Sequence, residues 1–213
     1  MAKLEYFYSA HSSYTYLGSV ELMKIARDAN CQIIHKPFDL RVTTETTGPG
    51  PISGRTPERR AYFYGRDIER WAEWRDVTFM EGRYTAARPA HHDNDMTLVN
   101  CMLIAGQERE LNMDQLAHCL LQGHWVDDAD LADYDTLVQL GQKAGVDPQS
   151  LLDDAVLPEI KAIYQANTDE AIERSVFGAP TYFVDGDMFF GQDRLMMVEH
   201  ALKTPFSGTW PRR

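Results

Sequence analysis

Cysteine is scarce in this chain: only Cys31, Cys101 and Cys119 are present, and no two of them form a C-x-x-C pair. An odd count without close spacing excludes a disulfide framework. Unpaired thiols fit a reducing cytosol, so a cytoplasmic protein is expected. Long apolar runs are also missing. None approaches the ~18–20 residues that a membrane-spanning helix needs. The first residues start a strand and lack the charged-then-apolar pattern of a signal peptide. Positive charge is in deficit, 21 Lys and Arg against 32 Asp and Glu, for a net charge of −11. That balance argues against nucleic acid and anionic membranes as partners. It leaves small anionic ligands open, because nearby donors outweigh distant charge. Long-period repeats and low-complexity tracts are absent. Metal-ligand spacing is absent too: His91 and His92 are adjacent and point in different directions, so no metal is expected.

What is present begins with the stretch 176–194. Thr181 to Val184 is β-branched and aromatic and reads as a strand. Asp185-Gly186 is the dipeptide of a type I′ turn, and Met188 to Phe190 reads as the returning strand. Asp193 then stands where a helix cap belongs, ahead of Leu195, Val198 and Leu202 on one face. Pro180 opens the first strand and is a candidate cis bond, which would expose the backbone of Ala179 to an extended ligand. Hairpin followed by helix is half of a thioredoxin-like fold.

The other half lies at the start. Lys3–Tyr8 reads as a buried strand, 14–27 as an amphipathic helix and 31–38 as a second strand, a right-handed βαβ unit. Residues 41–55, rich in Thr, Gly and Pro, read as a turn-rich loop, either a surface connection or a flap over a cleft. Helices dominate from Thr56 to Ser175. Thr56-Pro57 opens one with a cap and a first-turn proline. The run 96–105 is apolar nearly all round and reads as a buried helix. Further helices are expected at 113–123, around Leu131 to Gly141, from Asp147-Pro148 and around Ile160 to Tyr164, with Thr168 to Ala171 capping a last short one. The expected fold is α/β, a thioredoxin-like β-α-β…β-β-α sheet with an all-helical insertion. Residues 1–55 and 176–213 would form the thioredoxin-like domain and 56–175 the helical domain. At 213 residues the chain suits one such domain with a large insertion.

Two places can hold chemistry. Ser12 lies at the start of the first helix, where free N–H groups and the helix field favour an anion. Redox enzymes of this fold place a C-x-x-C thiolate there. Here the span is Ser12-Ser13-Tyr14-Thr15, which cannot cycle through a disulfide. Its serines either cap the helix or donate to a thiolate brought by a ligand. Gly191-Gln192-Asp193-Arg194 precedes the last helix. It is either an ordinary cap or a site for a ligand bearing both a carboxylate and an ammonium.

Ser12-x-Tyr-x-Tyr-Leu17, Arg60-Ala-Tyr62 with Asp67-Ile-Glu-Arg-Trp71, Val176 to Gly186 and Phe190-Gly-Gln-Asp-Arg194 occur in an order and spacing that resembles the 2-hydroxychromene-2-carboxylate isomerases. These are relatives of the kappa-class glutathione transferases within the DsbA-like thioredoxin superfamily. The resemblance runs from about Leu4 to Leu202. It implies glutathione as cofactor, a small aromatic substrate, a homodimer, and a serine at the first helix contacting the sulfur. Ser12 matches that serine. The family commonly has proline at the next position, so Ser13 is a second candidate. Ala179, before Pro180, matches the residue that pairs with the cysteinyl part, and Gln192 and Asp193 match those holding the γ-glutamyl end. The implied reaction is glutathione-dependent isomerisation of a conjugated aromatic carboxylate by transient thiolate addition. A conjugating transferase and a non-catalytic glutathione or peptide binder are the alternatives. His11, Lys36 and Tyr64 are candidates for the substrate pocket: His11 as base or cation, Lys36 for a substrate carboxylate, Tyr64 for an aromatic wall. Tyr62, Trp71 and Trp74 share that helix and read equally as core. Arg60 and Arg70 read in the same two ways, as part of the pocket or as exposed side chains pairing with nearby glutamates.

Overall fold

In the computed structural model the described residues are 2–48, 50, 54–79 and 89–208. Leu4–Tyr8 forms β1, Ser13–Asp28 α1 and Ile33–Pro37 β2. Thr181–Val184 and Asp187–Phe190 form β3 and β4, followed by a 3₁₀ turn at Gln192–Arg194 and α10 at Leu195–Lys203. The sheet order is β2-β1-β3-β4. β1 runs parallel to β2, with Leu4 opposite Ile33, and antiparallel to β3, with Leu4 opposite Val184. A mixed sheet with the parallel pair joined by α1 is the thioredoxin-like arrangement expected. Asp185 and Gly186 both have positive φ, 48° and 91°, as a type I′ turn between β3 and β4 demands.

β1 is central, so all five of its residues are buried. Glu5 is the polar exception and is not left unpaired. Arg174 Nη2 and Lys3 Nζ lie 2.9 and 2.8 Å from its carboxylate. Burial alone raises its pKa, but the bonds from Arg174 and Lys3 outweigh it and the carboxyl ends up below its usual range.

Among the described residues, eight α-helices lie between β2 and β3: α2 (Leu40–Thr46), α3 (Pro57–Ala61), α4 (Asp67–Arg75), α5 (Thr97–Glu108), α6 (Asp114–Val126), α7 (Tyr134–Lys143), α8 (Pro148–Ala155) and α9 (Pro158–Glu173). Helix α5 is buried from Val99 to Gly106, as its all-round apolar sequence requires. One hydrophobic core joins it to Leu4, Tyr6 and Tyr8 of β1, Leu120 of α6 and Leu151 of α8. A second, smaller cluster unites Tyr16 and Leu17 of α1 with Ile68 and Ala72 of α4, Phe79, Leu121 and Trp125.

Three local expectations change. Residues 40–46 are helical, not loop. Asp39 Oδ1 accepts from Val42 N at 3.0 Å, and the Thr44 and Thr46 hydroxyls donate to Leu40 O and Val42 O at 2.7 and 2.8 Å. A cap and this back-bonding hold a threonine-rich turn that propensity alone disfavours. Residues 49 and 51–53 of the same stretch lie outside the described residues. Thr168 to Ala171 caps nothing, because α9 runs straight through it. Thr168 Oγ1 donates within the helix to Tyr164 O and accepts from Asp39 N. Asp193 is not a cap either: it sits inside the 3₁₀ turn, where Gly191 is the residue before the first turn position. Between α3 and α4 the chain makes a π turn at Tyr62–Arg66, an extra residue in the ladder that re-aims the side chains on either side.

Candidate functional site

A cleft of ≈1280 Å³ opens where the two halves of the sequence meet. Its floor is the β1–α1 loop, the bend before β3 and the turn after β4. Its opposite wall comes from α2, from α3 through the π turn to α4, and from Phe79 and Trp125. Placing the ends of strands and the start of a helix at one cleft follows from the sheet order, since β1 and β3 are neighbours.

Ser12 is the N-cap of α1. Its Oγ accepts from Thr15 N at 3.3 Å and donates to Ala179 O at 3.4 Å. The second bond is long, so the hydroxyl proton is held only weakly. Ser13 is the first helical residue, also lines the cleft, and is 5% exposed. The Ala179-Pro180 peptide is cis, as the sequence suggested. Ala179 lines the cleft and is half-buried. Pro180 is buried beneath it and contributes by turning the chain, with its carbonyl accepting from Gly191 N at 2.9 Å. That bond ties the bend before β3 to the turn after β4, so Ala179 and Gln192 are fixed relative to one another.

Gln192 and Asp193 line the same cleft. Gln192 is 1% exposed and is gripped from behind by Arg75, whose Nε donates to Gln192 Oε1 at 2.6 Å and Nη2 to Gln192 O at 2.9 Å. Arg75 itself stacks on Trp71, its guanidinium 5.5 Å from the ring centroid. Burial lowers the pKa of Arg75, yet a guanidinium keeps its charge at any working pH. Asp193 pairs with Arg194. Gly18 of α1 allows the close approach: a Cβ there would meet Gln192 Cβ at 2.8 Å.

His11 lines the cleft next to Ser12. Its Nδ1 is 3.0 Å from Ser9 Oγ, and its ring stands edge-on to His92 with centroids 4.9 Å apart. His92 continues to His124, 3.0 Å from nitrogen to nitrogen. Among the described residues no group of three or more His, Cys, Asp or Glu is placed to hold a metal. Tyr64 lines the cleft and accepts from Arg55 Nη1 at 3.1 Å. Trp71 lines it as well, whereas Tyr62 and Trp74 point to solvent, 55% and 82% exposed.

Lys36 is the candidate that the structure places elsewhere. It does not line the cleft. Its ammonium is 2.7 Å from Glu170 on α9, on the far side of β2, because alternate residues of a strand face opposite ways. Arg60 lines the cleft, the pocket reading of the two, and makes no ion pair among the described residues. Arg70 lies over the Tyr62 ring at 6.0 Å.

Sequence reasoning missed several residues. Tyr14 lines the cleft and donates to Phe63 O at 2.7 Å and to Asp67 Oδ2 at 2.9 Å. Burial, then the Asp67 carboxylate, raises its pKa, so it is a fixed neutral donor that ties α1 to the π turn. Arg75, Arg41, Arg55 and Arg59 were missed as well. The first acts across 117 positions of sequence, and no local pattern announces such a contact.

The three cysteines are free, and none of them lines the cleft. A thiolate used there would have to come from a ligand. The site can offer it the Ser12 hydroxyl and the field of a sixteen-residue helix whose first turn contains no acidic side chain.

Comparison with known proteins agrees with this geometry. The chain is 26% identical over 201 residues to a 2-hydroxychromene-2-carboxylate isomerase of Sphingobium xenophagum, covering 93% of this chain and 97% of the relative. It is also 26% identical to glutathione S-transferase kappa 2 of Caenorhabditis elegans, covering 96% and 93%. The solved structure of a 2-hydroxychromene-2-carboxylate isomerase superposes with a TM-score of 0.77 at 23% identity, covering 94% of each chain. The DSBA-like thioredoxin domain model matches residues 3–203, and the chain belongs to that family.

Proposed function

We propose that this protein is a glutathione-dependent isomerase acting on a conjugated aromatic carboxylate. The observation that carries the reading is Ser12. It occupies the helix start where redox members of the fold keep a cysteine, and its hydroxyl faces the backbone of Ala179 across one cleft. Glutathione, when bound, supplies a thiolate that adds to the substrate and leaves after rotation about a former double bond.

The residues present fit that tripeptide. Ala179 offers backbone beside a cis proline, the N–H groups of the Gln192 turn can donate to the γ-glutamyl carboxylate while Asp193 accepts from its ammonium, and Ser12 can turn its hydroxyl from Ala179 O to a sulfur. Ser13 offers a second hydroxyl to the same position. A hydrogen bond and the helix field both favour the charged form of a thiol, and so lower its pKa. His11 stands beside Ser12 to take up the displaced proton. Phe63, Tyr64, Trp71 and Trp125 form an aromatic wall opposite. In this reading the helical segment 56–175 is the domain that covers a site carried by 1–55 and 176–213. A homodimer in a reducing cytoplasm completes the proposal.

A kappa-like transferase uses the same site and differs only in releasing the adduct, a reading supported by the kappa relative. Product analysis separates the two: an isomerase turns over with glutathione undiminished, a transferase consumes one per turnover. Ser12→Ala should leave glutathione affinity within a few-fold and reduce kcat about tenfold or more, because one hydrogen bond to a charge is worth about 1.5–3 kcal/mol. Unaltered kcat in that variant, or no heat on titration with glutathione, refutes the proposal.

A further inference from the structure

The adjacent histidines His91 and His92 lack metal spacing, and the structure sends them different ways. His91 turns to Asp130, 3.4 Å away, while His92 lines the cleft. Behind His92 stands His124 of α6, with no exposed surface. His92 Nδ1 and His124 Nε2 are 3.0 Å apart, and His124 Nδ1 is 3.3 Å from Ala129 O. A carbonyl oxygen only accepts, so Nδ1 of His124 carries a proton. In the neutral ring Nε2 is then the acceptor, and His92 donates to it from Nδ1. That leaves Nε2 of His92, on the diverging side of the ring, as the nitrogen with a lone pair. A backbone carbonyl thus sets the tautomer of a cleft imidazole through a buried one, which is how an acid–base group is oriented by its partners.

The position of His92 matters as much as its tautomer. Its ring centroid is 4.9 Å from that of His11, beside Ser12, and 5.4 Å from that of Trp125 in the aromatic wall. A conjugated acceptor whose ring lies on that wall, and whose reacting carbon reaches a sulfur at Ser12, has to pass His92. Thiolate addition moves the π pair of the C=C bond onto the conjugated carbonyl oxygen. That oxygen is where a proton-transfer group is needed.

We propose that His92 is a catalytic acid–base residue for the acceptor's oxygen, and that His124 is the positioning residue that fixes its tautomer. This rests on the glutathione-site reading above and adds where the proton goes. The thiol loses its proton to His11, which passes it to Nε2 of neighbouring His92. As the C–S bond forms and the π pair shifts, His92 gives that proton to the carbonyl oxygen, and the adduct is an enol. After rotation about the new single bond, Nε2 takes the proton back, the C=C bond re-forms and the C–S bond breaks. The departing thiolate recovers the proton by the same route. One proton shuttles between sulfur and oxygen, so no oxidant, reductant or co-reactant is consumed.

The test uses the whole protein with glutathione and (Z)-3-benzoylacrylate, an aromatic keto acid whose conversion to the E isomer is followed above the rate with glutathione alone. His92→Asn keeps a donor where Nδ1 stood and has nothing where Nε2 stood. Its kcat should fall about hundredfold, with KM and the glutathione Kd within a few-fold. His124→Leu removes the acceptor behind His92 and should lower kcat about tenfold or more, the effect of a lost tautomer. His124→Gln, whose amide oxygen replaces Nε2 as acceptor, should restore most of that rate. Ring-nitrogen NMR at about pH 8.5, above the ordinary imidazole range, should show His92 and His124 both protonated at Nδ1, each assigned by its loss on substitution. His92 should revert to the Nε2–H form in His124→Leu. Should that variant misfold, His92→Asn and the wild-type spectrum each still decide. A wild-type rate in His92→Asn, no recovery in His124→Gln, or an Nε2–H His92 in the wild type overturns the proposal while glutathione binding stands. No glutathione-dependent rate in the wild type overturns it together with the isomerase reading. Failure to bind glutathione refutes the glutathione site itself, and the relay with it.

Discussion

Arg75 is the residue whose removal tests the architecture of the site most sharply. It does not line the cleft, yet both of its hydrogen bonds end on Gln192, one on the side-chain carbonyl and one on the backbone carbonyl. Arg75→Ala leaves Gln192 Oε1 without its donor and Gln192 O with only the bond from Leu195 N, at a residue that is 1% exposed. Bonds to a charged group are worth about 1.5–3 kcal/mol each. Arg75 is itself half-buried, so the low end applies, and about 3 kcal/mol of stability should be lost. For a chain of this size that corresponds to a fall in Tm of about 6–12 °C. Arg75→Lys keeps the charge but has no fork, and should fall between wild type and alanine. Gln192→Ala removes only the side-chain acceptor and leaves the bond to its backbone oxygen. A double-mutant cycle should therefore return a coupling of about half the Arg75→Ala loss. Thermal melts with glutathione titrations on the same proteins measure both quantities. Glutathione affinity should weaken about tenfold in Arg75→Ala, the equivalent of one poorly held hydrogen bond. An unchanged Tm refutes the clamp; a lowered Tm with an unchanged Kd refutes Gln192 as a ligand contact.

Three other perturbations have outcomes fixed by the structure. Gly18→Ala places a Cβ 2.8 Å from Gln192 Cβ and 3.3 Å from Leu195 Cδ1, so α1 and the Gln192 turn must separate. It should cost about 1–3 kcal/mol in a urea melt and weaken glutathione binding with it, despite the higher helix propensity of alanine; a stabilised variant would contradict the packing. Acid should weaken the fold through Glu5 and Glu170, both held below the 4.5 of a free glutamate by Arg174 and by Lys3 or Lys36 despite burial. A depressed carboxylate contributes stability above its unfolded value and loses it as pH falls, so Tm should decline below about pH 4.5. Arg174→Met should flatten that decline, and an equal slope in wild type and variant would exclude the network as its source. Burial pushes the Cys101 thiol up to about 11. Iodoacetamide at pH 7.5 should leave it unmodified in the native protein and alkylate it in urea; rapid native labelling would show that α5 is not the sealed core helix it is here.

What was legible in the sequence was local. Asp185-Gly186 sets the hairpin because both positions need positive φ. Pro180 marks the cis bend because few other residues tolerate it. The run 96–105 announces a buried helix because no face of it is polar. Residues 40–46 escaped because Thr and Val argue against a helix, and only the Asp39 cap and the hydroxyl back-bonds overrule them. Thr168 misled for a related reason. Its hydroxyl is indeed used, but it accepts from Asp39 N across the fold while donating inside α9. A polar side chain announces that it will bond, and is silent about which partner it meets.

The site divides along the same line. The positions of Ser12, Ala179, Gln192 and Asp193 could be anticipated because each stands in a turn or at a helix start, and one sheet order brings all of them to one cleft. The facing wall is not readable that way. Arg41, Arg55, Arg59 and Arg60 look like ordinary surface arginines, and Arg41 and Arg59 stay exposed while lining the cleft; Arg75 looks like a helix end until it folds back on Gln192. Lys36 looked well placed for a substrate because it follows an apolar strand, but strand alternation turns it to Glu170. The half of the cleft that would hold glutathione in the proposed reading is therefore written in short-range geometry. The half that would choose the acceptor is written in contacts between distant helices, where divergence at 26% identity can change what is bound while the fold stays the same.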